Sequence, residues 1–186
     1  KLNAYEVGYR HIFDKLSIDL SAFYFDYYDL VQVDTSTFPA PLDNTGTSES
    51  YGFEASTKYK AADNWQLQLN YSFIRMDFDK PASAADLLFY EDKTAQHKVG
   101  FHSFLNLSKG ISWDVSPYYS DQRDTYGNPP GKIHSNIRLD TNITWQYSDK
   151  LTFNITGQNL LRSSTRESGF YAEVPRSFSI GITYSF

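Results

Sequence analysis

Hydrophobic and polar residues alternate one by one along most of this chain. In the last ten residues, SFSIGITYSF, large apolar side chains occupy one parity and serine, glycine or threonine the other. Successive side chains of a β-strand point to opposite faces, so this pattern predicts a strand with one apolar and one polar face. The same alternation recurs in AYEVGYR, LSIDLSAFY, YGFEASTKY, WQLQLNYSF, KVGFHSFLNL, ISWDVSPYYS, NIRLDTNITW and LTFNITGQN. We therefore predict nine strands of about ten residues, the length a tilted strand needs to cross a bilayer.

The connections between these strands alternate in length. Short connections at HIFDK, KAADN, SKG and QYSDK alternate with long ones at 30–50, 74–96, 121–134 and 160–174. The short connections carry Asp14, Asp63, Gly110 and Asp149, residue types that favour tight turns. A meander with all long loops at one end is typical of outer-membrane barrels, whose short turns face the periplasm.

Aromatic residues cluster beside the short turns. All three tryptophans of the chain lie there, together with two tyrosines and a phenylalanine: Tyr59, Trp65, Trp113, Trp145, Tyr147 and Phe153. Membrane barrels carry such rings at headgroup level, so the clustering favours an aromatic girdle. A soluble β-sandwich, in which the same rings cap a core, stays open as an alternative.

The charges favour the membrane barrel. They share one parity, so Glu54, Asp114, Arg138 and Asp140 are predicted to face a polar lumen. The opposite parity is predicted to face lipid, at Tyr5, Leu20, Leu69, Val115, Ile143 and Ile180. A lipocalin-like soluble barrel would show the reverse, an apolar interior. The fold class predicted is therefore all-β, a transmembrane antiparallel meander barrel.

Composition narrows the function classes. The net charge of −5 and the lack of any Lys/Arg run argue against nucleic-acid binding, and the absence of cysteine excludes disulfides and a cysteine nucleophile. No run of about 20 apolar residues is present, and the mean hydropathy of −0.51 is compatible with half-polar membrane strands. The four histidines show no metal-binding spacing, and no GxSxG turn occurs. We predict no catalytic site, no resident metal and no cofactor.

Four motifs in order resemble the C-terminal half of a TonB-dependent outer-membrane receptor. They are YGFEAS after a long loop, NWQLQLNYSF, the hairpin LTFNITGQNLL and the closing VPRSFSIGITYSF. The resemblance implies that residues 1–186 are the last nine strands of a plugged barrel of about 22 strands. The plug domain and the TonB box would lie upstream, so contact with the TonB complex would go through that region. It also implies that Tyr184 and Phe186 are the signal read by the barrel-assembly machinery, in the bacterial outer membrane.

The long loops are the predicted ligand site, since binding residues concentrate on loops held by a rigid scaffold. The candidates are Tyr119, Arg123, Tyr126, His134, Arg162, Arg166 and Tyr171. Arginine and tyrosine together suit an anionic chelate such as a ferric siderophore. An equal alternative is that these side chains bind lipopolysaccharide or merely solvate the loops. Membrane lipid and lipopolysaccharide are also predicted partners of the barrel. The predicted function is energy-coupled import of a siderophore or similar scarce nutrient, with a passive porin or small complete barrel, or a soluble sandwich binding module, as alternatives.

Overall fold

Thirteen strands make up the regular structure of the residues that the structure describes. A computed structural model describes residues 1–33, 38–39, 41–79, 94–107, 110–125, 131–167 and 173–186. The strands are β1 (Leu2–Ile12), β2 (Leu16–Val33), β3 (Leu42–Ala62), β4 (Trp65–Asp79), β5 (His97–Asn106), β6 (Ile111–Ser120), β7 (Arg123–Asp124), β8 (Lys132–Ile133), β9 (Asn136–Gln146), β10 (Leu151–Gln158), β11 (Ser164–Arg166), β12 (Glu173–Pro175) and β13 (Ser177–Tyr184). In the described part of the chain, no helix is long and apolar enough to span a membrane.

Nine of these strands form one antiparallel sheet. Its order is β1-β2-β3-β4-β5-β6-β9-β10-β13, so each long strand pairs with the next long strand along the chain. The pairs β7–β8 and β11–β12 are separate small hairpins inside two of the long connections. The predicted meander of nine strands is confirmed, and the two hairpins are elements that the alternation pattern did not predict.

The register carries the two predicted faces across the whole sheet. On one face Leu69 lies opposite Phe101, Trp113 opposite Ile143 and Ile155 opposite Ile180. On the other face Asp114 lies beside Asn142, and His102 Nε2 lies 2.8 Å from Asp114 Oδ1. All six residues predicted to face lipid share the first face, and the four predicted lumen charges share the second. We call the first face the apolar face and the second face the polar face.

Three strands are longer than the sequence pattern indicates. β2 has 18 residues, β3 has 21 and β4 has 15, against about ten that a membrane crossing requires. The expected long loop over 30–50 is therefore wrong in extent, because β2 continues to Val33 and β3 begins at Leu42. Likewise β4 continues into the predicted loop 74–96 as far as Asp79.

In these extensions the polarity of the two faces is reversed, with polar residues on the apolar face and apolar residues on the polar face. On β4 the apolar face runs Leu67, Leu69, Tyr71 and Phe73 and then continues with Arg75 and Asp77, whereas the polar face turns apolar at Ile74. The register groups six large side chains on the polar face at the long-loop end: Phe23, Phe25, Tyr27, Ile74, Met76 and Phe78. We call this group the inner apolar patch.

Small residues of β3 form the floor of the inner apolar patch. Ser48 and Ser50 are each only 5% exposed, because large side chains flank them on both neighbouring strands. A Cβ placed on Gly52 would lie 2.7 Å from Cζ of Phe23, so that ring lies directly over the glycine. The rings of Phe23 and Phe25 are stacked with centroids 5.1 Å apart. The extensions of β2, β3 and β4 thus have their own small apolar cluster on the polar face.

Candidate functional site

The candidate site lies on the polar face at the long-loop end of the sheet. A rung of register partners crosses six strands there, consisting of Ser21, Glu54, Ser72, Lys98, Ser120 and Asn136. Two cavities open along this rung, one of about 580 Å³ and one of about 280 Å³, and both are lined by Lys98 and Tyr118. The cavities show that the polar face is the concave side at this end.

Cationic groups dominate the smaller cavity. Lys98 contributes an ammonium group, and in the part of the chain that the structure describes it has no carboxylate within ion-pair distance. Arg123, on β7, donates from Nη1 to Ser120 Oγ at 3.2 Å and from Nη2 to the backbone carbonyl of Glu167. Both acceptors are uncharged, so neither cation is neutralised by these contacts. The cavity therefore presents two positive charges that an anion could pair with.

A second arginine is already neutralised. Arg138 Nη1 lies 2.8 Å from Glu167 Oε1, and Nη2 lies 3.1 Å from Asp140 Oδ2. Because Arg138 forms ion pairs with both carboxylates, it links the loop that carries β11 to strand β9. Its role is to position Glu167, whose backbone carbonyl in turn holds Arg123.

The same loop is fixed by Asn159, which is fully buried. Its backbone N–H donates to Asp140 Oδ1 at 2.9 Å, its Nδ2 donates to the carbonyl of Val174 at 2.8 Å, and Thr165 Oγ1 donates to its Oδ1 at 2.8 Å. The backbone φ of Asn159 is 52°, a left-handed conformation that asparagine adopts more readily than most residues. Asn159 thereby joins β9, β11 and β12, which keeps Glu167 at the cavity.

The inner apolar patch lies directly above the cationic rung. Ile74 follows Ser72 by two residues on the same face, and Ser72 is the register partner of Lys98. Neighbours of this kind on one face are about 7–8 Å apart. A bound molecule of ordinary size can therefore touch Lys98 and the patch at the same time.

Of the five predicted ligand residues that the structure describes, only Arg123 lines these cavities. Tyr119 lies on the apolar face of β6, between Val99 and Ile137. His134 is exposed between β8 and β9, and Arg166 ends β11 opposite Glu173. Arg162 is exposed and lines a depression on the apolar face. Tyr126 and Tyr171 lie outside the described residues.

The cavity residues that were not predicted as ligand residues from the sequence include Lys98, Tyr118 and Glu167. Lys98 and Tyr118 belong to strands, whereas the predicted ligand site was confined to loops. Their parity was the available signal, since both occupy the polar side of an alternating segment. Glu167 carries no such signal, because its position depends on Arg138 and on the hairpin β11–β12.

The last residues of the chain lie at the short-turn end of the sheet, whereas these cavities lie at the long-loop end. Tyr184 is the register partner of Leu151, and its ring lies 5.2 Å from that of Phe186 at an interplanar angle of 85°. Both rings continue the apolar face of β13, beside the short turn that joins β9 and β10. Their role as an assembly signal stays a prediction.

Comparison with known protein families decides between the alternatives left open by the sequence. Residues 1–160 match the family model described as TonB dependent receptor-like, beta-barrel. The chain belongs to the TonB-dependent receptor family. The polar face is therefore the lumen wall of an outer-membrane barrel, the apolar face contacts lipid, and the soluble sandwich is excluded. By family the chain is part of a TonB-dependent receptor.

Solved TonB-dependent receptors share the fold at low sequence identity. The ferric-catecholate import receptor Fiu from Escherichia coli K12 aligns over 100% of this chain and 27% of its own, with 17% identity and a TM-score of 0.80. The siderophore receptor PiuA from Acinetobacter baumannii aligns over 98% and 28%, with 14% identity and a TM-score of 0.81. The ferripyoverdine receptor from Pseudomonas aeruginosa aligns over 100% and 27%, with 16% identity and a TM-score of 0.77.

These alignments establish the fold of the chain. The chain spans somewhat more than a quarter of the length of each of these three receptors. No curated protein sequence matches it. As in the family, the chain lies in the outer membrane of Gram-negative bacteria, and its long-loop end faces the exterior.

Proposed function

We propose that this chain is the C-terminal part of a receptor that imports a ferric siderophore, or a similar scarce anionic nutrient, with energy supplied through TonB. The observation that carries the proposal is the pair of cations, Lys98 and Arg123, at the exterior end of the lumen wall. Neither has a carboxylate partner among the described residues. A ligand that supplies negative charge there would form ion pairs with both cations.

The inner apolar patch supports a ligand that is also partly apolar. Its rings and aliphatic side chains line the same wall, one rung above Lys98. Ferric chelates with aromatic or aliphatic arms and anionic metal-binding groups combine both properties. The structures similar to this chain include receptors described as siderophore importers, which supports the same ligand class.

The first experiment measures ligand binding to the full-length receptor. A panel of ferric catecholate and ferric hydroxamate chelates is titrated against wild type, Lys98→Gln and Arg123→Gln. Each lost charge-assisted contact should weaken binding of the recognised chelate about 10-fold, the size typical of hydrogen bonds to charged groups. Lys58→Gln is the matched control, since Lys58 lies on the same face near the short-turn end and should leave binding unchanged.

The second experiment separates active import from passive diffusion. Uptake of the recognised chelate is measured in cells with and without a functional TonB complex. Energy-coupled import predicts loss of uptake without TonB while surface binding persists. Uptake that continues unchanged without TonB would favour the porin alternative. Equal binding of every chelate by wild type and both cavity variants would contradict the proposed site.

A further inference from the structure

A depression on the apolar face, opposite the ligand cavities, combines apolar walls with arginine. Its volume is about 390 Å³, and its lining includes Tyr119, Ile137, Leu161 and Arg162. Ile137 is 50% exposed and Leu161 is 53% exposed. Because Tyr119 and Ile137 belong to the apolar face, which contacts lipid, this depression opens toward the membrane, and Asn136 of the polar face also lines it.

Its height on the barrel wall places it at the outer headgroup layer. Tyr119 and Ile137 form the last apolar rung at the long-loop end of β6. That strand is ten residues long. Below it, Pro117 pairs with Leu139 and Trp113 with Ile143, down to the girdle at the short turns. A strand of about this length spans the hydrocarbon layer, so the depression sits where acyl chains meet headgroups.

A second arginine adjoins the first. Arg176 precedes β13 and shares the parity of Phe178, which lies on the apolar face. Its Nε donates to the carbonyl oxygen of Arg162 at 3.2 Å, and its backbone N–H donates to Ser163 O at 2.8 Å. Among the described residues, neither guanidinium lies within ion-pair distance of a carboxylate. The carboxylate of Asp121, which follows β6, accepts hydrogen bonds from Tyr119 Oη at 3.4 Å and from the backbone N–H of Gln122 at 2.8 Å.

Nearby apolar side chains extend the surface downward from the two arginines. Leu160 and Phe178 fill the space in front of Gly157, where an added Cβ would lie 3.0 Å from a Leu160 methyl carbon and 3.4 Å from Phe178 Cε1. The surface is thus cationic at the top and apolar below. That order matches a lipid whose headgroup is anionic, and the outer leaflet of this membrane consists of phosphorylated glycolipid.

We propose that Arg162 and Arg176 bind a phosphate of an outer-leaflet glycolipid whose acyl chains lie against Ile137, Leu161 and Phe178. Arginine forms two parallel hydrogen bonds with phosphate oxygens, and the apolar wall supplies the contact for the chains. The site lies on the other side of the barrel wall from Lys98 and Arg123, so it is independent of the imported ligand. Of the alternatives that the sequence left open for Arg162, a nutrient, lipopolysaccharide or solvent, it assigns the lipid.

The test uses the full-length receptor in detergent micelles, titrated with diphosphorylated hexa-acyl lipid A and followed by native mass spectrometry. Each of Arg162→Gln and Arg176→Gln should weaken lipid binding about 5-fold, the contribution expected of one arginine beside an anionic membrane surface, and the double variant about 25-fold. Arg75→Gln is the matched control. Arg75 lies at the same end of the apolar face, but its Nε is 3.1 Å from Asp77 Oδ1, so its loss should change binding less than 2-fold.

Two further arms separate the lipid from other anions and from misfolding. Phosphate-free lipid A should bind as weakly as the double variant, and inorganic phosphate at millimolar concentration should not displace lipid A. Arg162→Lys with Arg176→Lys keeps the two charges but loses the paired hydrogen bonds, so its binding should lie between those of wild type and the double glutamine variant. Heat-modifiable migration on gels shows that each variant is assembled. Lipid A binding by the double variant equal to that of wild type would overturn the proposal. So would equal losses in the Arg75→Gln control, or displacement by inorganic phosphate alone.

Discussion

Two segments of the same three strands obey opposite rules of polarity. In the membrane segment of β4, Trp65 to Phe73, apolar residues face lipid and polar residues face the lumen. In the extracellular segment, Ile74 to Phe78, charged residues face outward and apolar residues face the lumen. The backbone and the register are continuous through the change. The solvent outside the wall therefore decides which face is apolar: lipid below Ile74, and water above it.

The contrast has a functional consequence. Outside the membrane, a sheet with water on its convex side buries its apolar residues on the concave side, as soluble antiparallel sheets do. That side is the mouth of the lumen, so the inner apolar patch comes to lie beside Lys98. The proposed ligand site thus arises where the two polarity rules meet.

The largest effect is expected from exchanging the outward residues of the two segments. Leu69→Arg places a charge on the lipid face within the membrane segment, which should lower the free energy of unfolding by about 2–4 kcal/mol. Arg75→Leu, six residues along on the same face, removes one exposed ion pair and should change it by less than about 1 kcal/mol. Urea titration of full-length receptor refolded into lipid vesicles measures both. Equal costs would mean that the outward environment is the same at the two heights.

A smaller effect is expected at the point where the faces exchange. Gly52→Ala puts a methyl group 2.2 Å from the backbone oxygen of Phe73 and 2.7 Å from the ring of Phe23. Overpacking of this kind costs about 1–3 kcal/mol, and the ring of Phe23 must leave its place in the patch. Gly100→Ala is the control, because its nearest atoms would be at the ordinary distances of 3.8 and 4.0 Å. Comparable destabilisation by both would show that the patch does not pack over Gly52.

The third prediction concerns Asn159, whose side-chain hydrogen bonds hold the loop of β11 and β12 on the extracellular side. Asn159→Ala removes two side-chain hydrogen bonds and leaves the carbonyl of Val174 and the hydroxyl of Thr165 without this partner. The loss should be about 1–3 kcal/mol and confined to the loop of β11 and β12. Hydrogen exchange of residues 160–167 should accelerate while β9 and β10 within the membrane stay protected. Accelerated exchange throughout β9 would contradict this separation.

Much of the membrane segment could be predicted from the sequence, because a lipid face imposes strict alternation. Leu69, Val115 and Ile180 have the predicted orientation, as do Glu54 and Asp140. The extracellular extensions were missed because the alternation reverses its phase at Phe23 and at Ile74, so a fixed parity reads the strand as ended. β7, β8, β11 and β12 have two or three residues each, too few for any periodicity.

The candidate site was predicted less well than the fold, for a physical reason. A loop arginine can turn to either side of a barrel wall one strand thick, and the sequence does not record which. Arg123 turned toward the lumen through Ser120 and Glu167, whereas Arg162 lies on the lipid side with Leu161. The parity of Lys98 predicts that its side chain lies on the polar face. Its place in the candidate site follows only from the register, which puts it beside Ser72 and Ser120.

The exchange of faces along β4 can be measured directly with spin labels. The chain contains no cysteine, so single cysteines at Leu69, Ser72, Arg75 and Met76 can be labelled in the full-length receptor if its remaining part is also free of cysteine. Collisions with oxygen report lipid, and collisions with a water-soluble nickel chelate report water. We predict high oxygen and low nickel accessibility at Leu69 alone, high nickel accessibility at Arg75, and at Met76 low accessibility to both reagents. High oxygen and low nickel accessibility at both Leu69 and Arg75 would mean that the lipid face continues past Ile74, which would contradict the exchange of faces at the mouth of the lumen.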